Sequence, residues 1–351
     1  MVIIGCDFHP GFQQIAMVDR ETGETRELRL SHKEEAQRFY AGLAGKEVLV
    51  GVEACGYTQW FEQMLEQMGH RFQIGDAAAI RASYVRRQKT DRRDAGHILR
   101  LLVEGRFPAL WVPSAVERDA RQLIVHRHKR VEMRTRVKNQ LHALALSQGL
   151  RLRWKLWTRA GLEQLKALPL QPYAAERRAD LLGQLQEMDE EIERLDAMVR
   201  KEAESRPAVM RLMSHPGVGP VTGLAFVLTI GDVERFRRSR QVASYLGLIP
   251  SERSSGGKQR LGHISKQGNP LLRFLLVEAG HIAVRGDAEL RRFYGRVQHR
   301  HSTGVAKVAV ARKLALRLYW MLRAGRDYAQ IRGPYAGKPE SFCGRKARPA
   351  A

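Results

Sequence analysis

The first eighty residues carry their apolar positions in short runs separated by polar turns. Val2-Ile3-Ile4-Gly5-Cys6 is a β-branched run that ends in Asp7. Gln13–Val18 and Thr25–Leu30 follow at hairpin spacing, with turn residues supplied between Asp19 and Gly23. A helical pattern from about Lys33 to Leu43 precedes a second buried run, Val48-Leu49-Val50-Gly51-Val52, which again ends in an acid, Glu53. Helix Thr58–Met68, strand Phe72–Ile74 and helix Ala77–Val85 complete the stretch. Three strands in succession, then strands alternating with helices, is the order of an RNase H-like α/β domain.

Beyond residue 110 the pattern turns helical. Val116 to about Leu150 is very basic, with a narrow apolar seam of Val137, Leu141 and Leu144. After a Trp/Arg-rich link at 151–159, Leu181, Leu185, Met188, Ile192, Leu195 and Val199 alternate at spacings of four and three, a coiled-coil seam of under three heptads. Such a seam pairs either with the earlier helix in cis or with another subunit. His215 to Gly223 opens a mainly α last domain, helical to about Arg323, and 331–351 reads as a disordered Pro/Gly/basic tail. The expected division is therefore 1–110 (α/β), 111–205 (basic helix and coiled coil), 206–330 (C-terminal domain) and the tail.

Charge changes this picture from a fold to a partner. The chain of 351 residues carries a formal charge of +23, far beyond what solubility asks for, and points to nucleic acid. The excess is local: residues 1–80 hold 7 Lys/Arg against 12 Asp/Glu, whereas 81–160 hold 20 against 6. Three cysteines without paired spacing give neither a disulfide framework nor a zinc motif, which fits a reducing cytoplasmic setting. No stretch approaches a membrane span, and the first residues lack the basic flank of a signal peptide.

Candidate chemistry lies in three places. Lys89-Thr90-Asp91-Arg92-Arg93-Asp94 sets two carboxylates three residues apart on one face of a helix start, among Arg87, Lys89, Arg92 and Arg93. Acids to hold a divalent cation beside bases that attract phosphate are what metal-dependent phosphodiester chemistry needs. Asp7 and Glu53, at two strand ends, fall where ligands collect in open α/β sheets. The bland alternative is a helix start favoured by its dipole, with Asp7 and Glu53 capping turns. The second place is Gly217-Val218-Gly219, a helix-hairpin-helix-like turn whose backbone N–H groups either meet a DNA phosphate or simply join two helices. The third is the loop Gly247–Asn269, where hydroxyls and glycines are surrounded by Lys258, Arg260, Lys266 and Arg273. A serine there either attacks a phosphodiester or belongs to a loop that only grips phosphate. Arg121, Arg127, Arg130, Arg134 and Lys138, at helical spacing, are the expected backbone grip.

Taken in order, Gly5-Cys6-Asp7, Val52-Glu53-Ala54-Cys55-Gly56, Lys89–Ala95, Pro216–Gly219, Ser254-Ser255-Gly256-Gly257-Lys258 and Ile264–Asn269 resemble the transposases of insertion-sequence family 110. These are the DEDD transposases related to Piv-type DNA invertases, and the resemblance covers about residues 1–325. It implies a RuvC-like N-terminal domain with Asp7, Glu53, Asp91 and Asp94 binding Mg²⁺, and a coiled coil used in assembly as a dimer or tetramer. It also implies a C-terminal domain whose nucleophilic serine matches Ser255, with Ser254 the neighbouring choice. Its partners would be donor and target DNA and a noncoding RNA transcribed from the element itself, in a bacterial, nucleoid-associated setting. The rival readings are a RuvC-like structure-selective nuclease that cuts by water attack, and a nucleic-acid-binding protein without catalysis.

Overall fold

The computed structural model describes residues 1–32, 34–84, 90–151, 153–256 and 258–332. Arg87 and Lys89 of the basic cluster, Lys33 and Val85 at the expected helix ends, Gly257 of the serine loop and the tail from 333 lie outside these residues. The chain forms two compact units, Met1–Val112 and a second beginning at Pro113.

The first unit is a five-stranded sheet with four helices: β1 (Val2–Phe8), β2 (Phe12–Asp19), β3 (Thr25–Ser31), α1 (Glu35–Ala41), β4 (Val48–Glu53), α2 (Gln59–Gln67), β5 (Arg71–Gly75), α3 (Ala77–Ala82) and α4 (Asp91–Val103). The strand order is β3-β2-β1-β4-β5, with β1 antiparallel to β2 and parallel to β4. The alternation along β1 decides its two faces. Val2, Ile4, Cys6 and Phe8 join Phe61 and Leu65 of α2 and Tyr40 of α1 in one core, while Ile3 packs with Leu49 and with Ile98 and Leu102 of α4 in another. Gly5 lies between them on the α4 face. A Cβ there would fall 2.2 Å from the Leu99 nitrogen and 2.4 Å from the Ala95 carbonyl oxygen, so only glycine lets the α4 backbone rest directly on β1. That close approach brings the start of α4 to the carboxyl end of the strand.

Among the described residues the second unit is helical except for one hairpin. It comprises α5 (Ala115–Ser147), α6 (Arg159–Lys166), α7 (Pro172–Glu204), α8 (Pro207–Met213), α9 (Pro220–Ile230), α10 (Ser239–Tyr245), the hairpin β6 (Pro250–Glu252) and β7 (Leu261–Ile264), α11 (Pro270–Gly286), α12 (Ala288–Arg300), α13 (Thr303–Ala324) and α14 (Tyr328–Arg332). A reciprocal capping box, Ser114 with Glu117, starts α5, and Pro172 at the first turn starts α7. The two long helices pair with each other. Leu181 and Leu185 pack with Val137 and Leu141 at one end, and Val199 joins Ala120, Ile124 and the C-terminal helices at the other. The heptad therefore finds its partner within the chain: Leu181, Leu185, Ile192, Leu195 and Val199 are all buried. An apolar seam left over for a second copy is not what these residues form, because α5 already covers it. The middle and last segments share one core rather than forming separate bodies.

At the α11–α12 corner the fully buried Asp287 accepts from the Leu290 N–H at 2.8 Å, the Arg317 guanidinium at 2.5 Å and the Tyr328 hydroxyl. Burial alone would raise its pKa, but these donors outweigh burial and hold the carboxyl well below the usual range.

Candidate active site

Asp7 and Glu53 end adjacent parallel strands at the same level, since Cys6 pairs with Val52 one residue earlier. Alternation puts both on the α4 face, about 5 Å apart between strands. Asp91 opens α4 above them, behind Thr90, whose hydroxyl caps the helix at the Arg93 N–H. The ligating atoms of Asp7, His9 and Asp91 all lie within 4.8 Å of one another. Two ligands on one hard cation, each at roughly 2.0–2.6 Å, are separated by no more than about 5 Å. His9 Nε2 is 3.1 Å from Asp7 Oδ2 and 3.6 Å from Asp91 Oδ2, so the imidazole nitrogen lies near both carboxylates. Burial raises the Asp7 pKa most; His9 opposes this, and Asp94 and Asp91 add to it by repulsion. Anions held close enough to repel favour a cation among them, and the donor set is mainly hard oxygen with one nitrogen. These residues fit a divalent metal.

Asp94 is placed differently from its neighbour. It is buried, and the Tyr84 hydroxyl donates to its Oδ1 at 2.5 Å. Burial first, then that bond and the charges of Asp94, Glu53 and Asp7, raise the Tyr84 pKa strongly, so the phenol stays a donor. Tyr84 is in turn held by His97, whose ring lies 4.0 Å away, centroid to centroid. Arg100 can only donate, so at 2.7 Å it makes His97 Nδ1 an acceptor, and Nε2–H then donates to Ser83 Oγ at 2.7 Å. Burial and Arg100 both lower the His97 pKa, which agrees with this neutral tautomer. Asp7, His9 and Asp91 thus come within ligand distance of one another, while Glu53 ends the neighbouring strand and Asp94 is bonded to Tyr84. His9 was not picked out from the sequence; its signal is the Asp-x-His spacing, which places alternate residues of a strand end on one face.

In the second unit the serine loop is the β6–β7 hairpin. The hydroxyl of Ser254 donates to Glu252 Oε1 at 2.6 Å and accepts the Arg260 N–H at 3.1 Å. Glu252, three residues before Ser255, places a carboxylate within the hairpin itself. Ser255 contributes only its backbone to the turn, its carbonyl accepting the Lys258 N–H at 3.1 Å, and its side chain is exposed with no hydrogen-bond partner among the described residues. Lys258 and Lys266 are exposed nearby in sequence. Lys266 has φ +56°, the one non-glycine among the described residues in the left-handed region. Such backbone persists where surrounding structure fixes it, as Gly247 does by accepting the Lys266 N–H.

Several basic positions prove to be engaged within the chain. Arg127 pairs with Asp196 at 2.8 Å, Arg130 with Glu191 at 3.0 Å and Arg134 with Asp189 at 2.8 Å, all from α5 to α7. Arg121 is half-buried and donates to the Leu228 carbonyl at 3.0 Å, Lys138 lies 5.0 Å over the Trp157 ring, and Arg273 donates to the Leu246 and Gln267 carbonyls. Gly217 has φ +84°, and a Cβ there would meet the Ala279 carbonyl oxygen of α11 at 2.5 Å. Helix packing accounts for that glycine, whereas Gly219 faces open space. A basic surface that the sequence did not single out lies on α12. Arg292, Arg296 and Arg300 recur every four residues, are exposed, and have no ion-pair partner among the described residues.

Comparison with known proteins bears on both units. Residues 4–148 match the DEDD transposase model of the IS110 family, and residues 209–295 match the model described as "Transposase IS116/IS110/IS902 family". A "Probable family 20 transposase" of Pseudomonas aeruginosa is 31% identical over 329 residues, covering 91% of this chain and 96% of the relative. The transposase for insertion sequence element IS1111A of Coxiella burnetii is 27% identical, covering 81% and 78%. That for IS1328 of Yersinia enterocolitica is 27% identical, covering 78% and 83%. With a mixed α/β sheet that gathers its acids at the strand ends and a helical second unit, the chain belongs to the IS110 family of transposases.

Proposed function

We propose that the chain excises and inserts its own insertion sequence by metal-dependent DNA strand exchange, with an RNase H-like (RuvC-like) first unit and a serine nucleophile in the second. The observation that carries the reading is that Asp7 and Asp91 lie within ligand distance at the carboxyl end of β1, with Glu53 ending the neighbouring strand β4. Asp7, Glu53, Asp91 and Asp94 would hold Mg²⁺, with His9 alongside. A bound divalent ion supplies the positive charge that a phosphodiester needs as negative charge builds on its oxygens. Tyr84 fixes Asp94 by its hydrogen bond, and α4 carries Asp91 and Asp94 to the strand ends.

Ser255 is assigned as the attacking hydroxyl because Ser254 is committed to the turn by two hydrogen bonds, leaving Ser255 at its exposed apex. The cations of Lys258 and Lys266 would receive the phosphate oxygens, and the Arg292–Arg296–Arg300 stripe would follow a nucleic-acid backbone. Donor and target DNA are the substrates of this reading, and an element-encoded noncoding RNA is its guide.

The test is an SDS-stable protein–DNA adduct in a strand-exchange reaction with Mg²⁺. Ser255→Ala abolishes the adduct and keeps DNA binding, Ser254→Ala weakens it by loosening the turn, and Asp91→Asn abolishes exchange while keeping binding. An adduct that survives Ser255→Ala but not Ser254→Ala moves the nucleophile by one residue. Normal cleavage by the double serine variant hands the reaction to water and to a structure-selective nuclease.

A further inference from the structure

At the strand end that carries Asp7, the first unit exposes two large aromatic rings. Tyr57 is 44% and Trp60 40% exposed, in a core where Phe8 and Phe61 are nearly fully buried. Tyr57 lies in the turn ahead of the Thr58 cap and Trp60 in the first turn of α2, and both rings pack against Phe8. Both are braced. The Trp60 ring centroid is 5.8 Å from that of Phe8, 5.7 Å from Phe61 and 5.0 Å from His32, which it meets edge-on at 63°. Tyr57 lies 5.9 Å from Phe8, and its hydroxyl donates to the Phe8 carbonyl at 3.4 Å. His32 stacks on Phe8 at 4.6 Å, and burial lowers its pKa, so it adds a neutral ring.

Phe8 is the residue that follows Asp7. Phe8 faces the opposite side of the sheet from Asp7, so the platform lies at the same strand end but on the other face, and it is tied to that end by the Tyr57 hydroxyl on the Phe8 carbonyl. A strand whose phosphate reaches the carboxylates carries its bases past this edge. A base within a duplex is stacked on both sides and has no free face to offer. An unpaired or flipped base does, and a rigid aromatic ring accepts any of the four because each has a π-face.

We propose that Trp60, with Tyr57, is a stacking platform for one unpaired nucleobase of the strand whose phosphate lies at the Asp7–Asp91 site. This rests on the active-site reading above and adds a requirement to it: the reacting strand is locally unpaired. The platform serves sequence-neutral holding, and base identity is read elsewhere.

The experiment uses the full chain in EDTA, so that nothing is cut, with single-stranded oligonucleotides carrying 2-aminopurine at successive positions. Wild type quenches the probe in single-stranded oligonucleotides and not in duplex ones. Trp60→Ala weakens single-strand affinity about tenfold and removes that quench, while Trp60→Phe retains most of both. Trp60→Leu covers the case in which Trp60→Ala fails to fold, since it fills the site without a π-face and is expected to behave as Ala does. Unchanged affinity and quench in Trp60→Leu overturn the proposal and leave the face to a protein partner. Equal weakening toward duplex and single strand also overturns it, as a general loss of structure. Asp91→Asn keeps the quench while losing strand exchange. If Asp91→Asn instead exchanges strands normally, the active-site reading fails while the stacking result stands by itself.

Discussion

Replacing Gly5 with alanine tests whether the contact between β1 and α4 builds the site. The added Cβ would lie 2.2 Å from the Leu99 nitrogen and 2.4 Å from the Ala95 carbonyl oxygen, both backbone atoms that cannot swing aside as a side chain does. Ordinary contact begins near 3.4 Å, so α4 must retreat by about 1 Å. Overpacking of this kind costs about 1–3 kcal/mol, offset in part by the roughly 0.5–1 kcal/mol that alanine gains over glycine in a strand. The net loss of about 1–2 kcal/mol lowers the Tm of the first unit by several degrees. Asp91 and Asp94 ride on α4 while Asp7 stays on β1, so the same retreat opens the carboxylate cluster. A displacement near 1 Å at reacting groups costs about 10²-fold in rate. Calorimetry of the full chain and a plasmid excision assay, run beside Gly11→Ala as a control with nothing within 4 Å of its added methyl, separate the two effects. Activity should fall far more than a Tm shift of this size explains. Gly5→Ala with wild-type Tm and wild-type excision would refute the contact as drawn.

Substituting Arg127, Arg130 and Arg134 together should leave the salt dependence of DNA binding nearly unchanged, because their charges face Asp196, Glu191 and Asp189; the cost is stability, about 0.2–1 kcal/mol for each partly exposed pair. Substituting Arg292, Arg296 and Arg300 should instead reduce the log–log salt slope by about one for each phosphate that these arginines neutralise. Polar residues at Leu185 and Ile192 should unfold the α5–α7 pair in far-UV circular dichroism rather than lower the mass in sedimentation, since both are buried within the chain. Asp287→Asn should destabilise the second unit by about 1.5–3 kcal/mol, because Arg317 loses its buried charged partner and keeps only the exposed Glu289. The depressed Asp287 pKa fixes the sign of the acid effect: its stabilisation is complete above the unfolded carboxyl pKa of about 4 and is lost as pH falls below it. Wild-type Tm should therefore drop on acidification below about pH 4 more steeply than the Asn variant's.

The first unit was legible because its information is local. Short β-branched runs marked strands, acids closed two of them, and the Asp91–Asp94 pair marked a helix start, whose Thr90 cap is seen only in the structure. Even the sheet end where the acids meet follows from strand order, since parallel neighbours bring Asp7 and Glu53 level without any knowledge of side-chain packing. His9 was also within reach, two residues along the same strand end. It was passed over because a single histidine carries little signal until a carboxylate on another element, here Asp91, is placed opposite it. Tyr84 and its support by His97 depend on the return of α4 over the sheet, which no local pattern specifies.

The second unit shows where local reading stops. The arginines of α5 stood out because 81–160 is so basic, but the acids that receive them, Asp189, Glu191 and Asp196, lie 55 to 69 residues later on α7. Counted in separate windows, these groups look like a phosphate grip and an oligomer seam. Once α5 and α7 are antiparallel partners, a single packing event accounts for both, with the apolar seam in the middle and the ion pairs along its flank. Charge that is balanced this way is not available to DNA without breaking its pairs. The binding surface is therefore to be sought among cations without acids in reach, and by that criterion it moves from α5 to the serine hairpin and α12.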